Sequence, residues 1–131
     1  MPTADDKVQA ITDTVNRYIA LLGDGDVDGL VSLYADDATV EDPVGGEVHI
    51  GSQAIKGFYS ALGFQEANVD RSAELVSLRV AGNEAAFHFR LIVAAGDSKI
   101  RIEPIDTMVF NDDGKVSAMK AYWSAADVTQ L

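Results

Sequence analysis

Two aspartates and a set of tyrosines stand in this sequence where they could move or hold a proton: Asp42, Asp106, Tyr18, Tyr34 and Tyr59. Asp106 is the plainest anomaly. Ile100, Ile102, Pro104, Asp106, Met108 and Phe110 share one face of an extended run. Arg101, Glu103, Ile105, Thr107 and Val109 take the other. The first face is apolar except for Asp106. If it meets the core, ionisation is costly there, and the carboxyl tends to stay protonated with a raised pKa. A neutral carboxylic acid can donate a hydrogen bond, which a carboxylate cannot. Alternation alone leaves functional and structural readings level: a functional acid, or else an ordinary surface acid, against which Arg101 and Glu103 on the opposite face argue, or a buried acid that pairs with a turn or an arginine.

Asp42 lies in the run VEDPVGG, on the same face as Val40. Pro43 has no N–H and confines Asp42 to an extended conformation. The glycine pair lets the chain turn just beyond. An acid held there could serve as a base, although a turn-starting aspartate is the commoner use of the type. Tyr18, Tyr34 and Tyr59 are expected on the buried sides of three successive helices. A buried phenol finds a hydrogen-bond partner. The three could converge on one another or on Asp106, or simply fill the core.

His49 and His88 are the only histidines. His49 is expected in a loop and His88 on a strand beside Arg90. Neither has a metal-ligand partner at useful spacing, and both read as non-catalytic. No Ser-His-Asp set, phosphate loop or dinucleotide fingerprint is present. GDGDVDG lacks the lysine of a phosphate loop and the closing glutamate of a calcium loop, so it reads as a helix-to-helix turn.

The elements that must hold these residues follow from periodicity. Thr3, with Asp6 three residues on, opens a first helix. Its apolar stripe is Val8, Ile11, Val15, Tyr18, Ile19 and Leu22. Asp26 caps a short second helix expected to carry Tyr34. ATVED is extended, and Ser52 caps a third helix with Ile55, Phe58, Tyr59 and Leu62 on one side. From about Asn68 the period becomes two. Four runs follow, near 68–80, 84–94, 99–111 and 115–124, separated by AGN, AGD and NDDG. Loops this short join antiparallel neighbours. The expected class is α+β: a curved antiparallel sheet wrapped around three N-terminal helices, cone-shaped, with an apolar pocket between them.

Composition bounds the rest. The 131 residues suit one domain, 1–131, and the 47% apolar fraction supports a core. No run approaches the roughly 20 apolar residues of a membrane helix. The N-terminus, MPTADDK, is acidic and does not read as a signal or transit peptide, so a cytoplasmic protein is expected. There is no cysteine, which excludes disulfides, thiolate zinc sites and cysteine nucleophiles. The net charge of −11 repels phosphate backbones and anionic lipid. A neutral or apolar ligand suits this balance better than nucleic acid or a membrane.

The segments NRYIALLGDGDVDGLVSLYADDATVEDPVG, AIKGFYSAL, EAAFHF, PIDTMVFNDDGKVSAM and AYWS, in that order, resemble the bacterial Δ5-3-ketosteroid isomerases, of the nuclear transport factor 2-like superfamily. YADDATVEDPVG is the most specific piece, together with RY upstream and PID downstream. The resemblance implies that Asp42 is a general base. It implies that Tyr18 and a protonated Asp106 donate to the substrate carbonyl oxygen. Tyr34 and Tyr59 match tyrosines that extend the network behind Tyr18. Met119 and Trp123 match positions lining the pocket. It implies isomerisation of 3-oxo-Δ5 steroids to their Δ4 isomers, with no metal or organic cofactor, in a homodimer formed through the outer sheet face, where Ile105 and Val109 are candidates. The segment 63–75 departs from the pattern and leaves the preferred steroid open. Rival expectations are a polyketide cyclase or dehydratase of the same fold, and a non-catalytic binding or dimerising module.

Overall fold

The computed structural model describes residues 3–63 and 68–131. Among these, the chain forms helices α1 (Ala4–Asp24), α2 (Val27–Ser32) and α3 (Ser52–Ser60). The strands are β1 (Tyr34–Glu41), β2 (Val48–Ile50), β3 (Val69–Ala81), β4 (Glu84–Ala95), β5 (Ser98–Ile102), β6 (Ile105–Phe110), β7 (Val116–Tyr122) and β8 (Val128–Gln130). They build one sheet in the order β2-β1-β7-β6-β4-β5-β8, with β3 also paired to β4.

α1 begins as its cap dictates. Thr3 Oγ1 accepts from the Asp6 amide and Asp6 Oδ2 from the Thr3 amide, both at 3.1 Å, satisfying two of the helix's orphan donors. The helix runs past Gly23 and ends at Gly25, whose left-handed φ of 68° suits a residue without a Cβ. Ile11, Val15, Tyr18, Ile19 and Leu22 are buried as the stripe requires, joined by Leu21, while Val8 at the first turns remains 41% exposed.

Four local expectations change. α2 stops at Ser32, and Tyr34 is the first residue of β1, not a member of the helix. The Leu33 carbonyl accepts from Val116, which draws the chain into the sheet there. α3 is capped by Gly51, and Ser52 is its first helical residue. His49 lies in β2, paired with Val40, not in a loop. The run 99–111 is two strands. Pro104 has no N–H for a ladder bond, and the chain breaks at Glu103 and Pro104 between β5 and β6.

The pairings of β3 with β4, of β4 with β5 and β6, and of β6 with β7 are antiparallel. β1 pairs with β7 in parallel, so the curved sheet is mixed. That pairing bridges distant parts of the chain, and no local turn signal announces it. It matters for the site. Glu41 pairs with Lys120, and Ala121 pairs with Asp106. One residue beyond Glu41, Asp42 comes level with Ala121 and hence with Asp106. The helices cover the concave face, and the core between them includes Val15, Leu30, Ile55, Phe87, Met108 and Met119.

Candidate active site

A cavity of about 290 Å³ opens between the helices and the concave face. That volume is near the lower end of small-molecule sites, roughly 300–1,000 Å³. Most of its wall is apolar, with Leu22 from α1, Phe58 from α3, Phe89 and Leu91 from β4, and Ile102 from β5. Tyr18, Asp42, Tyr59 and Trp123 also line it.

Tyr18 sits on the buried stripe of α1, 2% exposed. Phe87 and Phe89 meet its ring edge-on, at centroid distances of 5.9 and 6.3 Å. These contacts fix the ring and leave the hydroxyl to direct the site. Tyr18 Oη donates to Asp106 Oδ2 at 3.4 Å.

Asp106 lies directly behind, 1% exposed, and is the one buried charged or polar residue among the described residues. The sequence-derived face is therefore the core face. Its Oδ1 is buried with no hydrogen-bond partner among the described residues. Burial raises the Asp106 pKa well above the ordinary carboxylate range, and the charge of Asp42 raises it further. The hydrogen bond from Tyr18 opposes both, more weakly. A shift in this direction favours the protonated acid, which can donate a hydrogen bond where a carboxylate cannot.

Tyr34 and Tyr59 extend the network. Their hydroxyls lie 2.6 Å apart, and Tyr59 also hydrogen-bonds Tyr18. Each phenol has one proton. With Tyr18 donating to Asp106, Tyr59 donates to Tyr18, and Tyr34 donates to Tyr59. Burial raises all three phenol pKa values, which keeps the relay protonated.

Asp42 is half-buried at the cavity wall, followed by a cis bond to Pro43. Trp123 Nε1 donates to Asp42 Oδ1 at 2.7 Å. Burial raises the Asp42 pKa, while Trp123 and the nearby His49 lower it, for a net upward shift. The two acids thus occupy different surroundings: one sealed and pushed strongly upward, one at the wall and held by an indole N–H. His49 also packs on Phe58, with ring centroids 4.8 Å apart. His88 is remote, on the outer face, bonded to Glu103 at 3.2 Å.

Trp123 lines the cavity, as expected. Met119 is 1% exposed in the core, paired with Val40 and Met108, and is not among the lining residues. Of the segment 63–75, residues 64–67 lie outside the described residues, and Arg71 is part of the cavity wall. Sequence reasoning missed Arg71. The signal was present: Val69, Arg71, Ala73 and Leu75 alternate as the less exposed side of β3.

Comparisons with known proteins agree with this architecture. The family model described as SnoaL-like domain matches residues 15–119. The chain is 41% identical over 114 residues to a protein named Steroid Delta-isomerase from Nocardioides simplex, covering 87% of this chain and 89% of that protein. It is 31% identical over 132 residues to Epoxide hydrolase LasB from Streptomyces lasalocidi, covering 84% of this chain but 46% of that protein. Among solved structures, the epoxide hydrolase/cyclase-like enzyme SalBIII superposes with a TM-score of 0.83 at 24% identity, covering 95% of this chain and 98% of SalBIII. RV0760c from Mycobacterium tuberculosis gives 0.81 at 19% identity, covering 93% and 96%. Helices on a curved mixed sheet, a cavity between them and a family match across most of the chain lead to one assignment: this protein belongs to the SnoaL-like domain family, within the nuclear transport factor 2-like fold.

Proposed function

We propose that this protein is a steroid Δ-isomerase that converts 3-oxo-Δ5 steroids to 3-oxo-Δ4 steroids, with Asp42 as base and Tyr18 and Asp106 as donors to the carbonyl oxygen. The observation that carries this reading is the pairing of a sealed Asp106, its pKa pushed up by burial, with Tyr18 beside Asp42 at the wall of an apolar cavity. The 41% identity to a steroid Delta-isomerase supports it independently.

In this mechanism Asp42 removes a proton from C4, beside the carbonyl. The electron pair moves into a dienolate whose oxygen gains charge and, in the proposed complex, takes the single Tyr18 hydrogen bond that Asp106 otherwise accepts. Donors aimed at that oxygen in a dry site can each contribute about 3 kcal/mol. Asp42 then returns the proton to C6, which completes the shift of the double bond. Its upward-shifted pKa suits a group that must both accept and release a proton. The apolar wall binds the ring skeleton by burying it. Ketosteroid isomerases are a known case of a carboxylic acid kept neutral near neutral pH so that it can donate a hydrogen bond. Tyr34 and Tyr59 support Tyr18, and no cofactor takes part in the proposed steps.

The similarity to the epoxide hydrolase LasB favours a second reading, acid-assisted opening of an epoxide. Protonating an epoxide oxygen needs one acid and does not call for a second donor converging with Tyr18 on one oxygen. An ultraviolet assay with 5-androstene-3,17-dione separates the two. Growth of the conjugated enone band supports the isomerase, and its absence sinks it.

Further parts of this reading concern assembly and place. Ile105 and Tyr122 pair on the outer sheet face and are 51% and 47% exposed, which favours a homodimer formed there. No helix among the described residues is long and apolar enough to cross a membrane. The described residues are read as a single domain acting in the cytoplasm on a small apolar ligand.

A further inference from the structure

His49 is the histidine on the concave side of the sheet, and the proposed chemistry leaves it without a role. In the β1–β2 ladder Val40 pairs with His49 and Glu41 with Val48. Period two then puts Val40, Asp42 and His49 on one face, with His49 diagonal to Asp42 across the two strands. Diagonal neighbours of this kind stand roughly 7–8 Å apart, within reach of an imidazole ring. Two observations fix that face as the inner one. Val40 is fully buried, and the His49 ring packs at 4.8 Å on Phe58, which lines the cavity with Asp42. Both His49 and Asp42 are half-buried, so their charges interact through a medium of lower dielectric than water.

The charged groups on the neighbouring elements are engaged or turned away. The one charged side chain of α3 is Lys56, which pairs with Asp28 at 3.4 Å. Glu41 is on the opposite face of β1, where it accepts from the Gly45 amide at 2.9 Å, and Lys120 of β7 is its cross-strand neighbour there. Asp36, Asp37 and Glu47 are exposed. Around Asp42, Trp123 offers a neutral N–H, and burial favours the protonated forms of Tyr18, Tyr34, Tyr59 and Asp106. On the inner face of β1 and β2, His49 alone can become a cation. Its field lowers the Asp42 pKa against the larger upward effect of burial. A histidine ordinarily gains its proton near pH 6.5 and an aspartate near 4. In that order, the cation is in place before the carboxylate is lost.

We propose that His49 is a positioning residue for the base: its imidazolium holds Asp42 ionised in acidic solution, so that proton transfer continues at pH values where Asp42 beside a neutral neighbour would be protonated. His49 acts through Asp42, not on the substrate. This goes beyond the isomerase reading and rests on it only for the reaction that reports the effect.

The test removes the charge and the ring separately. His49→Phe keeps an aromatic ring for Phe58 and loses the charge; His49→Arg loses the ring and keeps a charge. The pH profile of kcat/KM for 5-androstene-3,17-dione is recorded for each protein and normalised to its own plateau, which cancels any loss of folded protein. Well down the acidic limb, the normalised value should fall about three- to tenfold in His49→Phe, as loss of a unit charge at this separation implies. His49→Arg should return it to the wild-type level or above. A limb that stays in place in His49→Phe would overturn the proposal, as would one that moves equally in both variants, which would assign the effect to the ring. NMR titration of ¹³C-labelled aspartate in the same proteins, with Asp42→Asn to assign the signal, reads the Asp42 carboxyl without turnover. An Asp42 titration that moves to higher pH in His49→Phe but not in His49→Arg, in a protein without isomerase activity, would retain the coupling and discard the isomerase. Isomerase activity whose acidic limb ignores His49 would do the reverse.

Discussion

The indole N–H of Trp123 donates to Asp42 Oδ1 at 2.7 Å, so the residue proposed as base is held by a neutral donor from the end of the sheet. That bond favours the ionised carboxylate and offsets part of the effect of burial, which raises the Asp42 pKa. Trp123→Phe removes the donor and leaves the burial. The Asp42 pKa should rise, and the acidic limb of the kcat/KM profile should move to higher pH. A profile that stays in place would separate Trp123 from control of the base.

Asp106 should be worth more as a donor than as a shape. Asp106→Asn keeps an N–H that can donate, while Asp106→Leu keeps only bulk. Loss of one donor to a developing oxyanion costs on the order of 10²–10³ in kcat. Asp106→Leu is expected to lose that much and Asp106→Asn clearly less. Steady-state kinetics with one steroid decide it, and equal losses would argue against donation.

The raised pKa of Asp106 also has a consequence for stability. The native state holds this proton to a higher pH than the unfolded chain does, so its contribution is complete below the unfolded pKa, near 4, and declines as pH rises toward the folded value. Asp106→Asn has no such proton to lose. Its stability relative to wild type should therefore climb with pH above about 4, by up to about 1.4 kcal/mol per unit. Urea unfolding across a pH series measures this. Parallel pH curves for the two proteins would mean that Asp106 ionises in the native state as readily as in the unfolded one.

The phenol relay should grade in effect with distance from the substrate. Tyr18→Phe removes a donor to the oxyanion and is expected to cost about 10²–10³ in kcat. Tyr34→Phe removes only the 2.6 Å bond to Tyr59, two steps back. Its loss should be well below that of Tyr18→Phe, with KM little changed. Comparable losses would show that the relay acts as one unit.

Much of this site could be read from the chain because it depends on period-two alternation, which is local. The face carrying Asp106, Met108 and Phe110 is the buried one, and Arg101 and Glu103 are on the outer face with Arg90. The stripe of α1 likewise located Tyr18 in the core. Tyr34 was harder, since its period fits a continuing α2, and only the contact of Leu33 with Val116 shows where the sheet begins. The parallel pairing of β1 with β7, which brings Asp42 level with Asp106, joins segments some eighty residues apart and leaves no local trace. Arg71 was legible only as a charge on the inner side of β3, and charges on strands commonly face solvent.

The central claim is that Asp42 moves the proton. Rates of conjugated enone formation from 5-androstene-3,17-dione, compared between wild type and Asp42→Asn, test it most directly. General-base catalysis contributes about 10²–10⁴ in rate. The expected result is a loss in that range or greater for Asp42→Asn, with undiminished binding of an enolate-like phenol through Tyr18 and Asp106. Turnover by Asp42→Asn close to that of wild type would contradict the account.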